Sequence, residues 1–183
     1  MRRKNTVALA RWLIGKTLAR RFPDGAVRRH IITETEAYHG ETDLACHAAK
    51  GRTARTDVMY RAGGVWYIYL CYGVHEMLNL VTGPEDFPSA ILIRSVHDIT
   101  GPGRLTKTLA ITRALNGAPA CETGAHAQLW LEETLPPARR RAGVFTNQIQ
   151  TTPRIGIAYA GPIWSAKPWR FVINAPTAKL KKQ

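Results

Sequence analysis

Two glutamates and a tyrosine stand at alternate positions in the run Ile32-Thr33-Glu34-Thr35-Glu36-Ala37-Tyr38. Ile and Thr are β-branched, and the run alternates, which predicts a strand. Side chains two apart on a strand share a face, so Ile32, Glu34, Glu36 and Tyr38 are expected to point one way and Thr33, Thr35 and Ala37 the other. Burying a carboxylate without a partner is costly, so such a face is solvated, ion-paired or functional. The strand alone leaves open whether these glutamates serve chemistry or the chain's many arginines.

Other chemistry-bearing residues follow. His39, Asp43, Cys46, His47 and Lys50 lie in residues 39–58, expected to be a long loop or a short helix between loops. Its end, Gly51-Arg52-Thr53-Ala54-Arg55-Thr56-Asp57, sets Arg52 and Arg55 beside hydroxyls and a glycine, which suits phosphate contact or a solvated loop. His39-Gly40-Glu41 has the H-x-E spacing of nucleobase deaminases, but no Pro-Cys-x-x-Cys accompanies it. Cys46, His47 and Cys71 lack zinc-ligand spacing, so no metal and no cofactor is expected. A Walker phosphate loop, a dinucleotide fingerprint and a nucleophile elbow are missing too.

What remains is the carboxylate strand and a supply of tyrosines, Tyr38, Tyr67, Tyr69 and Tyr72, of which Tyr67 is read as core. Aromatic faces beside a carboxylate suit a nucleobase held by stacking. Cleaving an N-glycosidic bond needs a carboxylate that activates water and stabilises a cationic sugar. A lyase route would need a lysine amine at the site, yet the carboxylate strand carries no lysine and Lys50 alone is close in sequence. That favours a water-using, monofunctional enzyme.

The elements that must hold these residues can be read in order. Residues 6–20 suit a helix, with Thr6 as N-cap and Leu9, Trp12, Leu13 and Leu18 as apolar positions. Phe22-Pro23-Asp24-Gly25 is a turn before a strand over 27–38. Residues 65–72 are apolar on both faces and β-prone, which predicts a central strand ended by Gly73. Residues 74–82, with Asn79 in the middle, and 90–96, with Arg94 as the single charge, predict two more strands. Their short connections favour an antiparallel meander. Gly101-Pro102-Gly103 opens a helix over 104–115, and short strands are expected at 128–132, 154–159 and 170–174. Residues 136–141 form a basic connection, and residues 1–5 and 179–183 are expected to fray. No linker or repeat divides the chain, so residues 1–183 read as a single domain.

The totals agree with a polyanionic partner. The chain has 183 residues, 45% hydrophobic, with 26 Lys and Arg against 13 Asp and Glu, a formal net charge of +13. Such a charge opposes compaction and favours a nucleic acid. No long apolar run or basic amphipathic anchor points to a membrane. An odd three cysteines argue against a disulfide framework, and residues 1–20 lack a signal peptide's apolar centre. The expected location is cytoplasmic, with the nucleoid, or nuclear in a nucleated cell.

Several ordered motifs resemble the alkyladenine (3-methyladenine) DNA glycosylases: Glu34-Thr35-Glu36-Ala37-Tyr38 with His47, Tyr67-Ile68-Tyr69-Leu70-Cys71-Tyr72-Gly73, Asn79, Gly101-Pro102-Gly103-Arg104-Leu105 and Pro153-Arg154-Ile155-Gly156. The match runs in order over about residues 10–174. The resemblance implies an α+β domain with a curved, mainly antiparallel sheet flanked by helices, acting as a monomer on double-stranded DNA that contains damaged purines. It implies Glu36 as the group that activates water, Tyr38 and Tyr69 stacking on an extruded base, and His47 hydrogen-bonding it. It further implies Tyr72 as the wedge that fills the duplex, Asn79 as the residue that narrows the pocket against guanine, and Arg94 as a nucleic-acid contact. His75 stands where some relatives carry another tyrosine. A non-catalytic nucleic-acid-binding domain and a substrate-binding module like that of formyltransferases are the alternatives; Glu36 and Tyr72 disfavour the second.

Overall fold

The computed structural model describes residues 5–133 and 149–173. The basic connection at 136–141, the ends at 1–4 and 179–183 expected to fray, and Asn174 lie outside the described residues. Among the described residues eight strands form one antiparallel sheet: β1 (Thr17–Arg21), β2 (Val27–His39), β3 (Trp66–Cys71), β4 (His75–Val81), β5 (Ser89–Val96), β6 (Leu129–Glu132), β7 (Gln150–Thr152) and β8 (Arg170–Val172). The order is β3-β4-β5-β2-β1-β6, with β8 pairing both β2 and β7. Among the described residues three short α-helices accompany the sheet: α1 (Thr6–Leu13), α2 (Pro102–Thr108) and α3 (Gly161–Ser165). The result is the curved, antiparallel α+β fold expected.

β2 organises the sheet because it is long enough to serve three partners. Its first part pairs β1 from Val27 to Ile31, its second pairs β5 from Ile32 to His39, and Glu34–Glu36 also pair β8. Irregular pairing on either side of Glu34 adds to the twist and lets the sheet curl where these partners meet. One face of β3, β4 and β5 supplies Trp66, Ile68, Leu78, Leu80, Ile91 and Ile93 to the main core, which Leu13 of α1 and Leu105 of α2 complete. Each such fully buried apolar side chain contributes roughly 1.5–3 kcal/mol of transfer free energy.

The structure corrects several sequence expectations. The predicted helix over 6–20 stops at Leu13: Gly15 takes a positive φ of 84°, and Thr17–Arg21 is strand β1. Leu18 fits a helical period, but the open edges of β2 and β6 bind this segment, and tertiary pairing overrides the local pattern. The cap is Asn5, whose Oδ1 accepts from the Val7 N–H at 2.9 Å. Strand β3 is an edge and not a central strand; its outer side is covered by residues 116–120, through Trp66 N–H to Ala118 O and Ile68 N–H to Asn116 Oδ1.

The second helix is also shorter than expected. α2 ends at Thr108, and the Arg20 guanidinium takes the carbonyls of Leu109 and Ala110 at 3.0 Å each. Residues 154–159 form no strand: Gly156 has a φ of 76°, a 3-10 turn spans Ala158–Ala160, and the Ile155 N–H is given to a side chain instead of a ladder.

Candidate active site

One row of strand partners carries most of the site. Tyr67 lies opposite Asn79, Asn79 opposite Leu92, Leu92 opposite Glu36, and Glu36 opposite Arg170. Directly opposed residues share a face. Tyr67, Asn79 and Glu36 therefore stand side by side on the face opposite the main core. Tyr67, Val81 and Ala90 form a second apolar cluster there, with Tyr38 and Tyr69 packed against it.

Irregular pairing on β2 and β5 sets the charges. Ile32 pairs Val96, Glu34 pairs Ser95 and Thr35 pairs Ile93, so Thr33 and Arg94 are each left without an opposite residue. Such extra residues shift which face the neighbouring side chains take. Ile32 joins Ala37 in the main core, so it does not share the carboxylate face as strict alternation predicts. On β5 the consecutive residues Arg94 and Ser95 both reach Glu34, at 3.0 and 2.5 Å, while Ile93 and Val96 stay in the core.

The two glutamates differ in what holds them. Glu34 accepts from Ser95 Oγ, from Arg94 Nε and from Arg170 Nε at 2.6 Å. Burial by itself would raise its pKa, but the Ser95 hydroxyl and the two guanidinium groups outweigh it and hold the carboxyl below its usual range. Glu36 is 0% exposed. Its Oε1 accepts from the Ile155 N–H at 2.8 Å, and its Oε2 accepts from the Tyr38 hydroxyl at 2.9 Å and Arg94 Nη1 at 3.2 Å. Each carboxylate oxygen can accept about two hydrogen bonds, so Oε1 has a free acceptor position. Burial, then the Glu36 charge, push the Tyr38 phenol well above its ordinary pKa, which keeps its proton available to Glu36.

Aromatic groups gather in the second apolar cluster, against which Tyr38 and Tyr69 pack. His47 stands edge-on to Tyr69 with centroids 4.3 Å apart, and Tyr69 lies 5.4 Å from Tyr67. Burial, then the neighbouring Arg55 charge, lower the His47 pKa to about 4, so the imidazole is neutral at pH 7. His47 Nδ1 lies 3.1 Å from the Tyr67 hydroxyl, which gives Tyr67 a polar contact at the site beyond its core role. Asn79 is buried, and its Nδ2 donates to the carbonyls of Tyr67 and Met77, both at 3.1 Å, so the amide is fixed.

Tyr72 is 91% exposed at the tip of the β3–β4 turn. It adopts a φ of 51°, followed by Gly73 at 72°, a left-handed pair of the kind that tight hairpin turns use. A bulky residue is seldom found there, and its ring has no core role to repay the strain. The two loop arginines part ways. Arg55 donates to the Leu70 carbonyl at 3.1 Å and lies over the Tyr69 ring at 5.2 Å. Arg52 is held by Asp57 at 2.9 Å and Asp86 at 3.0 Å. Arg94, expected at the nucleic acid, bridges Glu34 and Glu36.

Sequence reasoning missed Arg170, Ser95 and the Asp43–Arg154 pair. Arg154 was visible only as part of Pro153-Arg154-Ile155-Gly156, and nothing local marks Arg170 or Asp43. Among the described residues no group of three or more His, Cys, Asp or Glu side chains is placed to hold a metal, and no helix is long and apolar enough to cross a membrane.

Comparison with known proteins gives a consistent answer. The family model for methylpurine-DNA glycosylase matches residues 1–100 and 96–177. A relative from Methanocella arvoryzae is 42% identical over 186 residues, covering 91% of this chain and 86% of its own length. One from Anaeromyxobacter dehalogenans is 44% identical over 182 residues, covering 93% and 80%. One from Psychrobacter cryohalolentis is 40% identical, covering 90% and 84%. All three carry 3-methyladenine DNA glycosylase as a provisional name.

Proposed function

Since the chain belongs to the methylpurine-DNA glycosylase family, whose members are hydrolases of N-glycosyl bonds, we propose that it acts as a monomer on duplex DNA, turns alkylated or deaminated purines out of the helix and releases them with an activated water, which begins base excision repair. The observation that carries this reading is the environment of Glu36. It is a fully buried carboxylate fixed by three donors, with a free acceptor position on Oε1, and its donor Tyr38 packs on the same apolar cluster as Tyr69, which His47 meets edge-on.

In the proposed reaction water donates a hydrogen bond to Glu36 Oε1. As the bond from sugar to base lengthens, positive charge builds on the sugar, and the buried carboxylate stabilises it. The water oxygen bonds to the sugar carbon, its proton passes to Glu36, and the base leaves with the bonding electrons. Tyr38 and Tyr69 sandwich the base, and neutral His47 hydrogen-bonds it. Tyr72 fills the vacated space in the duplex, where an inserted ring offsets lost stacking. The fixed Asn79 amide obstructs guanine's exocyclic amino group. Arg55, Arg52 and the exposed remainder of Arg94 meet the DNA backbone. A route without a lyase step leaves the strand intact at the abasic site.

The test is incubation with methylated and with hypoxanthine-containing duplexes, followed by chromatography of the released bases. Free purine and an unbroken abasic strand are expected. Tight duplex binding with no base released from either substrate would leave a non-catalytic nucleic-acid-binding domain.

A further inference from the structure

Arg154 and Asp43 form a buried pair that never touches Glu36. Their side chains are both 0% exposed, with Nη1 to Oδ2 at 2.6 Å and Nη2 to Oδ1 at 2.9 Å. The same guanidinium donates to the Ala37 carbonyl at 2.9 Å and to the Trp164 carbonyl at 3.3 Å. It also lies between two rings, 4.8 Å from that of Tyr38 and 5.1 Å from that of Trp169. Asp43 in turn accepts from the N–H groups of His39 and Ala45, both at 3.1 Å. The pair thus ties together the end of β2, the loop that begins at Gly40, residues 153–157 and α3.

Two of the three donors to Glu36 hang from this tie. Ile155, which gives its N–H to Oε1, is the next residue in the chain after Arg154. Tyr38, which gives its hydroxyl to Oε2, rests its ring against the Arg154 guanidinium. Residues 153–157 have no strand to hold them, so the Ile155 N–H depends on side-chain anchors for its direction. The planar fork of an arginine fixes both position and rotation, which a lysine cannot do.

We propose that Arg154, held by Asp43, is a positioning residue for Glu36: it aims the Ile155 N–H and the Tyr38 hydroxyl so that the carboxylate keeps the rotamer in which Oε1 retains an unused acceptor position. This rests on the reading of Glu36 as the water-activating group. A purely structural ion pair would stabilise the fold without acting through Glu36.

The experiment measures single-turnover base release at saturating enzyme, and lesion-DNA Kd, for wild type, Arg154→Lys, Glu36→Gln and the double variant, on protein shown to be folded by its melting curve. Arg154→Lys is expected to slow release roughly 10- to 100-fold, the scale of a misplaced catalytic group, with Kd changed less than about threefold. In the Glu36→Gln background it should cause no further loss, because it acts through the group already removed. An equal loss in both backgrounds, or a Kd weakened as much as the rate, overturns the proposal. If Glu36→Gln itself releases base at the wild-type rate, the assignment of Glu36 fails, and the inference with it; a failure of the double-variant test alone leaves that assignment standing. Should Arg154→Lys not fold, Asp43→Asn, which keeps a carbonyl acceptor for the guanidinium, is read by the same criteria.

Discussion

Glu34 and Glu36 are held by one guanidinium: Arg94 gives its Nε to the first at 3.0 Å and its Nη1 to the second at 3.2 Å. The remaining donors differ in kind. Each carboxylate accepts from three groups, but Glu34 takes a second guanidinium, Arg170, and the Ser95 hydroxyl, whereas Glu36 takes the Tyr38 hydroxyl and the Ile155 N–H. On the proposed reading the two carboxylates of one strand have different roles, Glu36 as the base and Glu34 in the ion-pair cluster.

Substitution of each glutamate separates those roles. Glu36→Gln preserves shape but cannot take water's proton, so base release should fall about 10²–10⁴-fold while lesion binding persists. Glu34→Gln breaks a largely buried ion-pair cluster at a cost of about 3 kcal/mol, which corresponds to a melting temperature lower by roughly 6–12 °C with a much smaller loss of rate. Release assays alongside thermal melts decide; the opposite pattern would make Glu34 the base.

Tyr72→Ala should leave the melting temperature within about 2 °C of wild type, because the ring is exposed and packs on nothing in the core. Tyr72→Gly should melt at the same temperature or higher, since glycine adopts the positive φ without strain. Both should weaken lesion binding tenfold or more, the loss of a few kcal/mol of unstacking compensation. Melts and gel-shift titrations on a hypoxanthine duplex test this. A large drop in melting temperature with unchanged binding would make Tyr72 a structural residue.

Asn79→Ala or Asn79→Ser should raise release of unmodified guanine relative to hypoxanthine. The amide nitrogen is pinned by two carbonyls, so the side chain cannot swing aside to admit an amino group. Chromatography of bases released from mixed substrates gives the ratio, and an unchanged ratio would confine Asn79 to bonding the β3–β4 pair.

His47 predicts a pH dependence of stability with a definite sign. Its folded pKa is about 4, and an unfolded histidine titrates near 6.5. Between those values the unfolded chain binds a proton that the folded chain refuses, so stability falls as pH drops from about 6.5 towards 4. Glu34 acts in a lower window. Its depressed pKa contributes stability above the unfolded carboxyl value near 4.3 that is lost on further acidification through the folded value. His47→Gln should flatten melting temperature against pH in the upper window only. An unaltered slope there would mean that the imidazole accepts its proton freely in the fold.

DNA binding should depend steeply on salt. With a net charge of +13 and about five phosphates neutralised, the logarithm of the binding constant should fall against log salt with a slope of roughly −4 to −5. Titration of undamaged duplex at several salt concentrations measures it, and a flat response would separate the charge from DNA binding.

Much of this protein was legible in short-range pattern. The strand over Glu34–Tyr38, the β3–β4–β5 meander and the exposed turn at Tyr72 depend on β-branched periodicity and glycine placement, which act over a few residues. The ordered motifs carried the family. Tertiary structure decided the rest, because the deciding partners are distant in the chain. Thr17–Arg21 became a strand only where β2 and β6 offered open edges. Ile32 left the carboxylate face because the pairing of β2 with β5 is irregular on either side of Glu34. Arg170 reached Glu34 from 136 residues away, and Arg154 reached Asp43 from 111. A charge buried at such a distance is chosen by the fold that desolvates it, and no local pattern announces which arginine that will be.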